Sequence, residues 1–178
     1  MQTGQVCVSG MKSRGHLRFI RPVYGAGHGE VRAASVVLLP YAPSSVATAR
    51  GRPATDLREA GMVTAAIGDA ALVLSELLSN AMRHAGPLPG CTVRVAWALS
   101  DGSLRVSVSD GGGPTRPRAE RLSVSALGGR GLAIVDHLSR DWGIRSSGGR
   151  ITVWAVLPAP RGTTAEPGED HASPHDEA

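Results

Sequence analysis

The order of periodic segments in this chain predicts an α+β fold, a two-layer sandwich with helices on one face of a mixed, mostly antiparallel sheet. Three observations carry that prediction. Apolar residues recur at helical spacing from Thr64 to Ala85. Two alternating strand patterns flank Asp101-Gly102, a hairpin signal. The elements then follow as a long loop, another helix and strands, rather than as repeated strand–helix–strand units.

The apolar run Val31 to Leu39, ended by Pro40, reads as the first strand. Ser44 is placed to cap a helix reaching about Ala60. Pro53 lies inside that helix, where proline costs about 3 kcal/mol, so a kink or break is expected between Arg50 and Pro53. The next helix carries Ile67, Ala70, Ala71, Leu74, Leu77, Leu78 and Ala81 on one stripe and stops at Gly86-Pro87. Cys91, Val93, Val95 and Trp97 alternate with polar or small residues as a strand, and Cys91 reads as a small buried apolar residue rather than part of a disulfide framework. Leu104, Val106 and Val108 form the returning strand. Residues 111–129 make a loop too long for a plain connection. Arg130 to Arg140 resumes helical spacing, Trp142 to Arg145 reads as a short strand, and Arg150 to Leu157 as a buried one.

A length of 178 residues suits one domain with tails. The domain is expected at 31–158, between a disordered N-terminal tail (1–30) and a disordered acidic tail (159–178). The latter sets Arg161 against Glu166, Glu169, Asp170, Asp176 and Glu177. No stretch reads as a signal peptide or an uninterrupted apolar span, so the expectation is a cytoplasmic protein without membrane contact. Although the net charge is +4, no Lys/Arg cluster interleaves with aromatics, and direct nucleic-acid binding is not expected. The only lysine is Lys12. A P-loop and a eukaryotic-type kinase site each require a lysine on the phosphates and cannot be built here. Any triphosphate must be held by backbone amides, arginine and a metal ion.

Three constellations could supply such a site. On the helix, Glu76 and Asn80 stand four apart with Arg83 three further, on one face. Asn80 can offer an oxygen to Mg²⁺ and Glu76 can accept a proton. Alone, the spacing also fits a solvated polar face. Next, Asp110-Gly111-Gly112-Gly113 ends a strand; the glycines admit a flat ligand, and the carboxylate can accept from an adenine amino group. An ordinary Asp-Gly turn explains it equally. Last, Gly128-Gly129-Arg130-Gly131-Leu132 opens a helix whose free amides and dipole attract an anion, or is simply a loop-to-helix junction.

In this order and spacing the three resemble the GHKL ATPase superfamily (histidine kinase-like ATPases), in particular its anti-sigma-factor serine/threonine kinases. Glu76 to Asn80 matches the N box, Asp110 to Gly112 the first glycine box, and Gly129 to Leu132 the second. The resemblance covers about residues 31–158 and implies the Bergerat ATP-binding fold with ATP and Mg²⁺ as cofactors. It implies Asp110 on the adenine amino group with Gly112 beside it, and Asn80 on the metal. Gly129, Arg130, Gly131 and Leu132 would lie at the phosphates, Glu76 would act as general base, and residues 115–128 would form a lid. Thr152 looks like the threonine that accompanies the adenine site. Pro114 departs from the family pattern by standing where the box usually has its last glycine.

The function so implied is an ATP-binding anti-sigma-factor-type regulator. It would phosphorylate serine or threonine on a small antagonist protein, with that antagonist or a sigma factor as partner and a second copy of the chain as a further candidate. The alternative is a nucleotide-gated protein-binding module with little or no kinase activity. A histidine kinase would need dimerisation helices bearing a phosphoacceptor histidine, which residues 1–43 do not resemble.

Overall fold

The computed structural model describes residues 31–100, 102–113 and 129–162. They form β1 (Ala33–Pro40), α1 (Ser45–Glu59), α2 (Thr64–His84), β2 (Thr92–Ser100), β3 (Ser103–Asp110), α3 (Gly129–Leu138), β4 (Asp141–Ser147) and β5 (Arg150–Pro158). The strands make one sheet in the order β1-β2-β3-β5-β4. Every neighbouring pair is antiparallel, so the mixed sheet expected from sequence is, among the described strands, a purely antiparallel one. Helices lie on one face, which makes the fold an α+β two-layer sandwich.

Period-two patterning fixes which sheet face is covered. Val93, Val95, Trp97 and Leu99 of β2, Leu104, Val106 and Val108 of β3, and Val153, Ala155 and Leu157 of β5 are all buried in one core cluster. Their opposite numbers on the helix side are Val73, Leu74, Leu77 and Leu78 of α2, which packs between α1 and α3 and onto β3 and β5. By length and composition α2 could cross a membrane, but its apolar stripe is the core of this sandwich.

Two local features go beyond the sequence expectations, the first by departing from them and the second by adding a pairing between two expected strands. First, α1 runs unbroken from Ser45 to Glu59 despite Pro53. Ser45, Ala49, Pro53 and Leu57 recur every fourth position and are all buried, so the proline ring serves as a core side chain and its burial offsets the lost backbone bond. Ser44 makes no side-chain cap; Ser45 Oγ instead donates to the Pro40 carbonyl at 2.7 Å. Second, β4 and β5 are one hairpin. Ser147 faces Arg150 across Gly148-Gly149, both at positive φ (57° and 77°), the two-residue turn that glycine permits. Cys91, half-buried at φ 53°, is neither a core residue nor a free thiol. Both expected tails, apart from the residues up to Gly162, lie outside the described residues.

Candidate functional site

Helix α2 is the organiser of the site. At its middle, Glu76 is half-buried and lies against the first turn of α3. A Cβ built on Gly131 would sit 2.5 Å from Glu76 Oε2 and 3.5 Å from its carboxyl carbon. Only glycine lets the carboxylate approach the α3 backbone so closely. Asn80, also half-buried, follows one turn later on the same face. Arg83 does not join them, because it is exposed and its Nε donates to the Ser79 carbonyl at 3.1 Å.

The far end of α2 meets the first glycine loop. Gly86 N–H donates to the Gly112 carbonyl at 2.7 Å, and Gly111 N–H donates to the Gly86 carbonyl at 2.9 Å. A Cβ on Gly111 would fall 2.3 Å from the Pro87 carbonyl oxygen, and one on Gly113 would fall 2.5 Å from that of His84. Gly112 itself adopts φ 76°. Glycines 111–113 therefore let two backbone segments touch, which side chains would forbid.

Asp110 ends β3 with 3% of its surface exposed. Its Oδ1 accepts from Gly112 N–H at 2.8 Å, and Oδ2 has no hydrogen-bond partner among the described residues. Burial raises its pKa above the ordinary carboxylate value, partly opposed by the Gly112 bond. Asp110 shares the face of Val106 and Val108, so its carboxylate points toward the helix layer.

Tyr41, a residue the motifs gave no reason to select, ties this corner together. Its hydroxyl donates to the carbonyls of Ala81, at 2.9 Å, and Ala85, the last turn of α2. Burial and the nearby Asp110 carboxylate both raise the tyrosine pKa. Pro40 and the strand end before it were the available signal, since the chain must turn there toward the end of α2.

Thr152 is not brought to Asp110. It pairs with Ser109, and the two hydroxyls lie 2.8 Å apart on the sheet face away from the helices. The residue opposite Asp110 is Ile151, whose Cγ1 is 3.3 Å from a Cβ position on Gly112. A one-residue step along a strand reverses the face, and so removes the geometric support for Thr152 at an adenine site. Leu132 is 3% exposed and belongs to the core, leaving only its backbone for a ligand. Gly129 and Arg130 open α3, with Arg130 exposed. The lid residues 115–128 and Pro114 lie outside the described residues.

Among the described residues no group of three His, Cys, Asp or Glu side chains could hold a metal on its own.

Among curated proteins, none matches the chain. Solved structures do match, including the crystal structure of the RsbU and RsbW domains of Rv1364c from Mycobacterium tuberculosis, with a TM-score of 0.56 and 25% identity. That match covers 73% of this chain and 33% of the other, so this chain spans about a third of the length of its structural relative. The family model for the histidine kinase-like ATPase domain matches residues 39–157. With its antiparallel sandwich, and with α2 joining two glycine segments, this chain belongs to the histidine kinase-like ATPase domain family.

Proposed function

We propose that the protein is an ATP-binding regulator of the anti-sigma-factor kind, and that it phosphorylates serine or threonine on a small antagonist protein. The carrying observation is that α2 touches both glycine segments, through Glu76 at Gly131 and through the His84 carbonyl at Gly113, with Gly86 just beyond its end bonded to Gly111 and Gly112. From Glu76 to His84 the helix rises about 12 Å, the scale of a nucleotide laid from purine to terminal phosphate. The likeness to a structure containing an RsbW domain supports the same reading.

In this reading Asp110 Oδ2 accepts from the adenine amino group, and Gly112 keeps the carboxylate oriented through Oδ1. The first-turn amides of α3, from Gly129 to Leu132, with Arg130, receive the phosphates. Asn80 offers Mg²⁺ one oxygen; when bound, the ion neutralises phosphate charge. Glu76 takes the proton of the attacking hydroxyl as the new O–P bond forms and the bond to the β-phosphate oxygen breaks, releasing ADP. Positioning and charge neutralisation dominate such transfers, so a site without lysine is workable.

Incubation with radiolabelled ATP and candidate antagonist proteins of the same organism tests this reading. Label on a serine or threonine of one antagonist, lost in Glu76→Gln, supports it. ATP binding without transfer to any antagonist would leave a nucleotide-gated binding module instead.

A further inference from the structure

Helix α1 presents two faces. One is the buried stripe Ser45, Ala49, Pro53 and Leu57. The other, at Thr48, Gly51, Arg52 and Thr55, repeats at helical spacing, carries no large apolar side chain and is exposed. It lines one side of a cleft of about 450 Å³, with Ser35 and Val37 of β1 and Trp97 of β2 on the other. That volume is in the range of small-molecule sites. The cleft shares no residue with the candidate nucleotide site.

Asp56 also lines the cleft and is fixed there. Its Oδ2 accepts from Ser35 Oγ at 3.0 Å and from Trp97 Nε1 at 3.1 Å, one donor from each of two strands. An ionised carboxylate has about four acceptor positions, so these two bonds leave Oδ1 open to a further donor. Arg52 stands one turn earlier on α1, exposed, and its guanidinium bonds no described residue. At a spacing of about 5–6 Å between Cβ atoms the two could close on each other as an ion pair, yet they stay apart.

Gly51 points to the same place on separate grounds. Glycine is the poorest helix former after proline, and this one stands inside α1. Its φ is not positive, and a Cβ added there would meet nothing within 4 Å. Neither backbone conformation nor packing requires it. What the missing side chain provides is open space in the cleft, beside Arg52.

We propose that this cleft binds a free α-amino acid with an apolar side chain. The ammonium group donates to Asp56 Oδ1, the carboxylate accepts from the Arg52 guanidinium, and the side chain lies toward Val37 and Trp97. Opposite charges one helical turn apart match a zwitterion. A ligand with only one charge would leave either Asp56 Oδ1 or Arg52 without a partner.

Calorimetric titration of the full chain with L-leucine, L-methionine and L-phenylalanine tests it. At least one is expected to bind saturably. Its N-acetyl derivative, which lacks the ammonium, and its amide, which lacks the carboxylate, should each bind about 10- to 100-fold more weakly. Asp56→Asn keeps an acceptor for Ser35 and Trp97 but removes the charge, and should weaken binding by a similar factor. Gly51→Ala should raise Tm while weakening binding at least about 10-fold, a combination that loss of structure does not produce. This variant keeps the test decisive if Asp56→Asn fails to fold. Lack of saturable binding by all three amino acids to the folded wild type would overturn the proposal. So would derivatives that bind as tightly as the parent amino acid, or a Gly51→Ala chain with wild-type affinity.

Discussion

The Glu76 carboxylate lies where a side chain on Gly131 would stand: a methyl group on the glycine would be 2.5 Å from Oε2. Because the obstructing atom ends a flexible side chain, Gly131→Ala should fold well. Alanine in a helix is favoured over glycine by up to about 1 kcal/mol. What must move is Glu76. The expected outcome is an unchanged or slightly raised Tm with phosphoryl transfer reduced at least about 100-fold, general base catalysis being worth about 10²–10⁴-fold. Thermal unfolding and a transfer assay on the same preparation check both halves.

Gly111 and Gly113 face backbone carbonyls rather than a side-chain tip. Neither Pro87 nor His84 can withdraw without parting α2 from the loop. Gly111→Ala and Gly113→Ala should each cost about 1–3 kcal/mol or more of folding stability, the range for overpacking. Urea unfolding measures this, and a stability equal to wild type would mean that this close approach is not maintained in solution.

Burying Asp110 opposes its charge, and the consequence for stability has a definite sign. Its folded pKa lies above its unfolded value, so between the two the folded state holds more protons. Stability therefore falls as pH rises through that window and stays reduced above it. Asp110→Asn should flatten this slope and raise Tm at neutral pH. Should the variant lose stability there instead, the buried carboxylate would have a compensating partner.

Tyr41→Phe removes the hydroxyl that holds the Ala81 and Ala85 carbonyls. A loss of about 0.5–1.5 kcal/mol is expected for one such bond. Since the clamp fixes the α2 end against the Asp110 loop, amide exchange at Gly86 and Gly112 should quicken more than in the β2–β3 hairpin. Uniform quickening would reduce the residue to general packing.

Much of this was legible in the sequence because local signals agreed with the fold. The Asp-Gly signal in the sequence pointed to the β2–β3 hairpin, in which Ser100 faces Ser103, and the apolar stripe of α2 gave its length to within one residue. The failures are places where tertiary packing overrode a local rule. Pro53 breaks helices in isolation, but here its ring completes a buried stripe with Ala49 and Leu57. Gly148-Gly149 carried a hairpin signal as strong as Asp-Gly, yet the short strand before it masked the pairing. In the candidate site, Glu76, Asn80, Asp110 and the glycines were selected by type and spacing, and the fold sets them along α2 and the two glycine segments beside it. The face of Thr152 depends on strand register, and the reach of Tyr41 depends on where β1 ends, so neither could be read from a one-dimensional pattern.

The central claim is that α2 gathers the segments at 76–80, 110–113 and 129–131 around one nucleotide, and calorimetric titration of ATP tests it most directly. The intact chain should bind ATP saturably and more tightly with Mg²⁺. Asp110→Asn, still folded, should bind about 10- to 100-fold more weakly, the value of about 1.5–3 kcal/mol for a hydrogen bond to a charged group. ATP affinity in the folded variant equal to that of the intact chain would contradict it.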